Sequence, residues 1–333
     1  MVLISMLGAT IRAEEIAVLT TDQCLGIQPL PPPRVLARWM GGRAEDSTLL
    51  ESSIFSVALG QGPNGQVLVA QARPGLHAVV YRLQADRTLV PMFELPDGFL
   101  PMAIVSHRNG KVLLLGGLNG VGSVLVSWTP GAGAVVQNLI GGVDRRIDLD
   151  SAGCTLIAPR SGTPGTGIYR MNVCAANPHW EFWLSLAPPT GEVFFAPGNR
   201  LLVATQNHVL LLNASSGATV RTYDVPGDSY VLALSSSGRS FWAAPASCPA
   251  NFDNVVREYD IASGRLLTQR PYISGTGFVD DLPFSITVAN GWRAALRDDF
   301  PPEDIPTLGA WHLLLLAVVL GVVSIRNLSM SIP

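Results

Sequence analysis

Several residue classes are scarce in this chain of 333 residues, and each scarcity excludes a kind of function. Charged residues make up only 14% of the sequence, and Lys111 is its only lysine. The net charge is −3 and the arginines are scattered, so no basic stripe exists to bind nucleic acid. No two histidines lie three to five residues apart and no C-x-x-C pair occurs, so local zinc motifs are missing. We therefore expect no nucleic-acid partner and assign no cofactor and no metal ligand.

Sequence signatures of catalysis are missing as well. No G-x-S-x-G nucleophile elbow occurs, and the glycine-rich stretch 116–122 leads into a predicted strand, whereas a dinucleotide site needs a helix. The stretch Asp148-Leu-Asp150-Ser-Ala-Gly153 resembles half of a calcium loop but lacks its distal glutamate, so we interpret it as a hairpin turn. No catalytic residue is assigned on this basis, although ligands far apart in sequence escape a search of this kind.

Glycine, proline and apolar residues are what the chain has in abundance. It contains 33 Gly and 25 Pro at regular intervals, and 48% of its residues are hydrophobic. A chain this apolar can bury a large core. Regular glycine and proline punctuation favours many short strands joined by turns over disorder.

A hairpin of two apolar strands around a glycine turn recurs about every 45 residues. Its turns include Asn64-Gly65 and Asn109-Gly110, which suit two-residue type I′ corners because Asn and Gly tolerate positive φ. Later copies place the turn glycine at positions 153, 198, 238 and 291. A second hairpin lies between successive copies and alternates more strongly between apolar and polar residues. Two hairpins per repeat is the content of a four-stranded propeller blade.

These repeats predict an all-β fold, a β-propeller over residues 14–297. Counting the inner hairpins gives six four-stranded blades, or seven if the true start of the protein lies upstream. The sixth inner hairpin, at 284–296, has no outer partner, and we expect residues 16–39 to complete its blade and close the ring. The alternative is a sandwich of stacked sheets. The repeats resemble those of YVTN, NHL and WD40-like propellers in pattern only, and propellers host many unrelated functions.

The C-terminal residues have the character of a membrane anchor. An acidic, proline-marked linker covers residues 298–307, an apolar segment covers 308–326, and a short tail covers 327–333. The apolar segment is about the shortest length of helix that spans a bilayer. Trp311 lies where an interfacial aromatic side chain belongs, and Arg326 marks the cytoplasmic end. These features predict one transmembrane helix, with everything before it exported.

A short motif begins in this region, and its residues are Ile305, Pro306, Thr307, Leu308, Trp311 and Arg326. The motif resembles the IPTL-CTERM sorting signal of Gram-negative bacteria. The resemblance implies an inner-membrane anchor, facing the periplasm, that an exosortase-type protease removes so that the protein reaches the cell envelope, the cell surface or the medium. The chain departs from the family pattern at His312, where glycine is usual, and in having one terminal arginine where a cluster is usual. A plain membrane anchor is the alternative.

The N-terminal residues 1–13 resemble the end of a secretory signal peptide, with an apolar run followed by Ala13 as a cleavage position. No basic segment precedes the run, and Ile11 fits the cleavage site poorly. We therefore expect the true start to lie upstream. The alternative is that these residues form an ordinary first strand.

Four cysteines, an even number, occur in a chain that is predicted to enter an oxidising compartment. They are Cys24, Cys154, Cys174 and Cys248. Three pairings are open, and we choose Cys154 with Cys174 on proximity, because both lie in the predicted third blade about 20 residues apart.

The aromatic stretch Trp180-Glu-Phe182-Trp183 is a candidate ligand surface. On a strand, Trp180 and Phe182 share one face and Trp183 takes the other. The alternatives are packing between blades and an exposed platform for a sugar or peptide. The sequence as a whole predicts an exported cell-envelope propeller that acts as a binding or scaffold module for a protein or glycan ligand. The alternative function is a propeller enzyme, a lactonase or hydrolase, with a central metal held by residues from several blades.

Overall fold

The computed structural model describes most of the repeat region of the chain. The described residues are 15–21, 35–40, 46–50, 56–62, 66–72, 77–84, 88–107, 109–139, 146–160, 165–186, 191–205, 208–226, 230–245, 255–271 and 282–289. Side chains are described only between residues 58 and 270. The sorting motif, the predicted anchor 308–326, Cys24 and Cys248 lie outside these ranges. Within them, no helix has the length and apolar character needed to cross a bilayer.

The described residues form twenty-four strands. The first three are β1 (Glu15–Thr21), β2 (Val35–Met40) and β3 (Asp46–Leu50). The next eight are β4 (Ser56–Gln61), β5 (Val67–Ala72), β6 (Val79–Leu83), β7 (Leu89–Glu94), β8 (Phe99–Ser106), β9 (Val112–Leu118), β10 (Gly122–Thr129) and β11 (Gly133–Asn138). Another eight are β12 (Asp148–Leu149), β13 (Thr155–Arg160), β14 (Gly167–Asn172), β15 (Trp180–Ser185), β16 (Glu192–Ala196), β17 (Arg200–Ala204), β18 (Val209–Asn213) and β19 (Thr219–Tyr223). The last five are β20 (Tyr230–Leu234), β21 (Ser240–Pro245), β22 (Val255–Asp260), β23 (Leu266–Pro271) and β24 (Leu282–Ala289).

The strands pair as the antiparallel sheets of a β-propeller, so the all-β prediction is confirmed. Five blades consist of four consecutive strands each, and we number them blade 1 (β4–β7), blade 2 (β8–β11), blade 3 (β12–β15), blade 4 (β16–β19) and blade 5 (β20–β23). One further four-stranded sheet has the order β24-β1-β2-β3 and joins strands from both ends of the described range. The first strands of the five blades contact one another in chain order, and β24 contacts both β20 and β4.

The composition of this mixed sheet corrects the predicted ring closure. The sequence analysis assigned two strands of the closing blade to residues 284–296 and two to residues 16–39. Among the described residues, β24 supplies one strand and β1, β2 and β3 supply three, while the second strand predicted within 284–296 lies outside the described residues. The reason is that Asp46–Leu50, which no repeat pattern marks, pairs with β2 and extends the sheet outward. The predicted count of six or seven blades is therefore corrected to five blades of consecutive strands, and the described residues add to these only the mixed sheet.

Burial falls from the inner strands to the outer strand of each blade, as the two hairpin patterns predict. All six residues of β5 are buried, and so are the first five of β9. The outer strand β11 has no buried residue, and β19 has one. The difference follows from packing, because inner strands contact neighbouring blades on both faces while outer strands border solvent.

The hairpin turns explain the recurrent glycine, although their geometry differs from the prediction. Gly110, Gly153 and Gly238 have φ of 91°, 75° and 66°, and the N–H of each bonds the carbonyl oxygen three residues earlier. Asn109 does not have positive φ, so the predicted type I′ corner at Asn109-Gly110 is wrong. Each turn is a four-residue bend whose last residue is a glycine in the left-handed region.

The core is divided into apolar clusters that lie between neighbouring blades. One cluster joins blades 4 and 5 through Tyr223, Phe241 and Tyr259, among other residues. The rings of Tyr223 and Phe241 meet edge to face with centroids 4.9 Å apart, which is a favourable aromatic geometry. The Tyr223 hydroxyl also donates a hydrogen bond of 2.7 Å to the carbonyl oxygen of Ile261. Contacts between blades therefore carry both the apolar burial and specific polar links.

Because Gly116 on β9 has no side chain, the Phe99 ring and the Leu100 backbone can pack directly against it, and this gives a testable prediction. A Cβ at position 116 would lie 2.5 Å from Cζ of the buried Phe99 ring and would also collide with the backbone carbonyl oxygen of Leu100. We expect Gly116→Ala to lower the free energy of unfolding by about 2 kcal/mol, because a backbone atom cannot move aside cheaply. The neighbouring Gly117 faces open space, so Gly117→Ala is the matched control. Urea unfolding measures both, and equal stabilities would contradict the packing.

Candidate functional site

The two aspartates in the stretch that resembles half of a calcium loop accept hydrogen bonds from different parts of the propeller. Asp150 lies in the turn, and its Oδ1 accepts hydrogen bonds of 2.9 Å from the N–H groups of Cys154 and Thr155. Asp148 is buried, and its Oδ2 accepts a bond of 2.8 Å from the N–H of Phe195 in blade 4. The turn interpretation is therefore confirmed. Among the side chains that the structure describes, no three His, Cys, Asp or Glu residues gather as metal ligands.

The described histidines make separate, local contacts. Nδ1 of His77 contacts the Asp97 carboxylate at the surface. His107 is buried, and its Nε2 lies 3.0 Å from the carbonyl oxygen of Ser151, so it links blade 2 to the first turn of blade 3. The turn of blade 3 thus receives a side chain from the neighbouring blade.

A disulfide joins Cys154 to Cys174 within blade 3, and this is the pairing chosen from the sequence. Their Cα atoms are 5.1 Å apart, and 20 residues separate them along the chain. Closing a loop of this length stabilises the fold by about 3 kcal/mol on the loop-entropy account. The bond also holds the end of β14, from which the next surface loop departs.

That loop, residues 173–179, is fixed by further hydrogen bonds. Oδ1 of Asn172 accepts a bond of 3.0 Å from the N–H of Cys174, and the Asn172 carbonyl oxygen accepts one of 3.2 Å from Ala175. Nδ1 of His179 lies 3.2 Å from the carbonyl oxygen of Asn177. The loop ends at Trp180, which packs against the core between blades 2 and 3. The disulfide at one end and Trp180 at the other therefore hold it in place.

An open cleft of about 490 Å³ lies between this loop and the end of β11. Its lining residues are Gln137, Asn138, Ala176, Asn177, Pro178 and His179. The wall from blade 2 is anchored just as the other is, because Leu139 follows Asn138 and packs on the same core cluster as Trp180. The N–H of Leu139 also bonds the carbonyl oxygen of Ser123 at 2.9 Å. Both walls of the cleft thus have rigid supports.

Three side-chain amides in the cleft are uncommitted. Those of Gln137, Asn138 and Asn177 make no hydrogen bond with any described residue. Each amide offers two donor hydrogens and one acceptor oxygen. The lining contains no carboxylate, lysine or arginine. The cleft is therefore equipped to hydrogen-bond an uncharged polar group.

Sequence reasoning missed this cleft for a physical reason. Its two walls are about 40 residues apart, and neither Gln137-Asn138 nor residues 176–179 form a recognisable motif. The sequence pointed to the cleft only indirectly. The predicted disulfide ties the loop after Cys174, which forms one wall of the cleft, to a rigid turn.

The aromatic stretch on β15 is mainly a packing element. The Arg160 guanidinium lies over both Tyr169 and Trp180, 5.2 and 5.3 Å from their ring centroids, and such contacts are favourable cation–π pairs. Trp183 is the extra residue of a β-bulge, and Arg170 lies over its ring at 5.6 Å. Phe182 remains 39% exposed. Two of the three rings are thus covered by arginines, and the stretch does not present an open aromatic platform.

One buried carboxylate links three successive blades, and the sequence analysis did not single it out. Glu192, at the start of β16, pairs with Nε of Arg146, which precedes β12 in blade 3. Its other oxygen accepts a hydrogen bond from the N–H of Leu232 in blade 5. Burial raises the pKa of Glu192 to about 7, and this outweighs the lowering effects of Arg146 and of the Leu232 amide. Because Glu192 is almost fully buried, its role is structural.

Comparison with known proteins gives the fold alone. No protein family matches this chain, and no curated protein matches it either. A protein of unknown function from Bacteroides caccae aligns with a TM-score of 0.58 at 13% identity over 83% of this chain and 98% of its own. TolB from Acinetobacter baumannii aligns with a TM-score of 0.58 at 12% identity, over 83% of this chain and 66% of TolB. A gluconolactonase, XC5397 from Xanthomonas campestris, aligns with a TM-score of 0.48 at 11% identity over 63% of this chain and 78% of its own.

Proposed function

We propose that this chain is an exported β-propeller that acts as a binding or scaffold module at the cell envelope, with the cleft between blades 2 and 3 as its ligand site. The observation that carries the proposal is the set of three uncommitted amides on two rigid walls. A rigid site loses little conformational entropy when a ligand binds, so even a few hydrogen bonds yield measurable affinity.

The disulfide supports the export part of this proposal. Structural disulfides such as Cys154–Cys174 persist in oxidising compartments outside the cytoplasm. The C-terminal motif, from Ile305 to Arg326, supports delivery by an exosortase-type protease after transient anchoring in the inner membrane. The propeller would then face the periplasm before processing and reach the envelope, the cell surface or the medium afterwards.

The cleft favours a neutral polar ligand, either a glycan or the backbone of a protein. Its volume of about 490 Å³ lies within the usual range for small-ligand sites, roughly 300–1,000 Å³. The amides can donate to and accept from sugar hydroxyls or peptide groups, and the lining offers no opposite charge to an ion. None of the lining residues carries a fixed charge, so the cleft offers a charged ligand no permanent counter-charge against its desolvation cost.

Titration of the purified protein with neutral oligosaccharides (cellotriose and chitotriose) and an uncharged tripeptide tests this function. We expect one of these probes to bind, and the double variant Asn138→Ala, Asn177→Ala to bind it about 30-fold more weakly, because two hydrogen bonds are lost. Gln269→Ala, an exposed amide on the outer strand of blade 5, is the matched control and should bind as the wild type does.

Two results would contradict the proposal. Calorimetry that detects no binding of any probe, or equal affinity of the wild type and the double variant, removes the cleft as a ligand site. Fractionation of the producing cells should place the protein in the envelope, and its recovery from the cytosol with both cysteines reduced would contradict export.

A further inference from the structure

The outer strands of the propeller differ in how they are protected against pairing with another chain. In blades 1, 3, 4 and 5 the outer strand contains a β-bulge, at Met92, Trp183, Val220 and Leu267. Each of these strands also carries a charged residue, namely Glu94, Glu181, Arg221 and Arg270. Bulges and charges are the devices by which natural sheets block their free edges.

Strand β11 of blade 2 has neither device. Its pairing with β10 is regular from Gly133 to Asn138, and its sequence GAVVQN contains no charge and no proline. Val135 and Val136 are 57% and 40% exposed, although they are adjacent and lie on opposite faces of the strand. An edge that is apolar, uncharged and exposed on both faces is suited to accept another strand.

The hydrogen-bond pattern shows which backbone groups this edge offers. The N–H of Leu139 bonds the carbonyl oxygen of Ser123, so position 139 faces β10. Backbone direction alternates along an antiparallel strand, and positions 137, 135 and 133 therefore face β10 too. The N–H and C=O groups of Ala134, Val136 and Asn138 point away from the sheet. Among the described residues, β11 pairs only with β10.

We propose that β11 is a self-association edge, on which the β11 strand of a second copy of this chain pairs antiparallel about a two-fold axis at Val136. In this register Ala134 lies opposite Asn138 of the other copy, and Val136 lies opposite its own equivalent. All outward N–H and C=O groups of both strands are then paired. Val135 packs beside Gln137 of the other copy on the other face, which covers the more exposed of the two valines.

The absence of charge points to a second copy as the occupant. Under two-fold symmetry the axis residue meets its own copy, so a charge at position 136 would face a like charge, and like charges at positions 134 and 138 would face each other. A sequence of Gly, Ala, Val, Gln and Asn avoids this repulsion.

The expected dimer is weak. One pair of six-residue strands buries far less than the roughly 1,200 Å² of a stable interface. The monomer–dimer equilibrium should therefore be visible only at high protein concentration. This proposal rests on the backbone edge of β11 and not on the identity of the cleft ligand, but the two sites share Gln137 and Asn138, so a bound ligand and a second copy would compete for this end of the strand.

Cysteine cross-linking of the full chain tests the register. The Cα atoms of a directly opposed, hydrogen-bonded pair in an antiparallel sheet lie about 5.5 Å apart. This distance falls within the Cα–Cα range that disulfides span. We expect Val136→Cys to give a covalent dimer under mild oxidation. Val220→Cys is the matched control, because Val220 is 50% exposed on the bulged, arginine-bearing outer strand of blade 4 and should stay monomeric. No cross-link at 136, or equal cross-linking at both positions, would overturn the proposal.

Sedimentation velocity of the full chain in mild detergent provides the second measurement. The wild type should sediment faster as its concentration rises, whereas Val136→Lys should weaken the dimer at least tenfold, because two lysines would face each other. Val220→Lys should leave the dimer unchanged. A wild type that stays monomeric at every concentration, or a dimer that Val136→Lys does not weaken, would refute self-pairing through β11.

Discussion

Removing residues 1–40 should abolish cooperative unfolding of the propeller. The deletion takes away β1 and β2, and β1 is a central strand that pairs on one side with β2 and on the other with β24. Without them β24 loses its only strand partner among the described residues, while it still contacts the first strands of blades 1 and 5. Three or more paired strands are needed for a stable sheet, so this one should not form.

Urea unfolding and light scattering of the truncated protein measure the effect. We expect a broad transition, a lower m-value and aggregation through the exposed edge of β24. Deletion of residues 1–13 is the control, since β1 begins at Glu15, and it should leave the transition unchanged. A soluble protein without residues 1–40 that melts as the wild type does would show that the mixed sheet does not hold the ring together.

The blades were predictable because their signals are local. A hairpin needs two apolar strands and a turn, and a glycine such as Gly153 marks the turn because only glycine adopts φ of 75° without strain. The disulfide was predictable for the same reason, since Cys154 and Cys174 end neighbouring segments of one blade. The gradient of burial followed from the stronger alternation of the outer hairpins.

The features that the sequence did not reveal depend on residues far apart in the chain. Asp46–Leu50 has no strand pattern of its own and forms β3 by pairing with β2. The β-bulge at Trp183 has no signal in the sequence of β15 itself, because a bulge depends on the strand with which it pairs. The walls of the cleft come from different blades, and only the ring arrangement brings them together.

Glu192 is the clearest case of such a long-range feature. Its carboxylate lies at the start of a strand that is otherwise apolar, and its partners Arg146 and Leu232 are about 40 residues away on either side. Burial of a carboxylate depends on packing that periodicity cannot show. Its effect on stability, however, has a definite sign that can be measured.

Stability should fall as the pH rises from about 4.5 to about 7, because of Glu192. Its pKa is raised from 4.5 to about 7 in the folded protein. Below pH 4.5 the carboxyl group is protonated in both the folded and the unfolded state, so its favourable contribution to the free energy of unfolding is fully present. Between the two values only the folded state keeps the proton, and the free energy of unfolding drops by about 1.4 kcal/mol per pH unit, about 3 kcal/mol in total. Above pH 7 the loss is complete.

Replacing Glu192 by Gln isolates this contribution, because other titrating groups remain in both proteins. The groups that contact the Glu192 carboxylate are Arg146 from the β12 side and the Leu232 backbone amide from β20, and the substitution leaves them in place. The stability of Glu192→Gln relative to the wild type should therefore rise by about 3 kcal/mol between pH 4.5 and pH 7.5, as urea unfolding at several pH values measures. Glu181→Gln, on the exposed outer strand β15, is the control and should follow the wild-type curve. If the free energy of unfolding of the wild type and that of Glu192→Gln change with pH in parallel, this carboxylate does not keep its proton in the folded propeller.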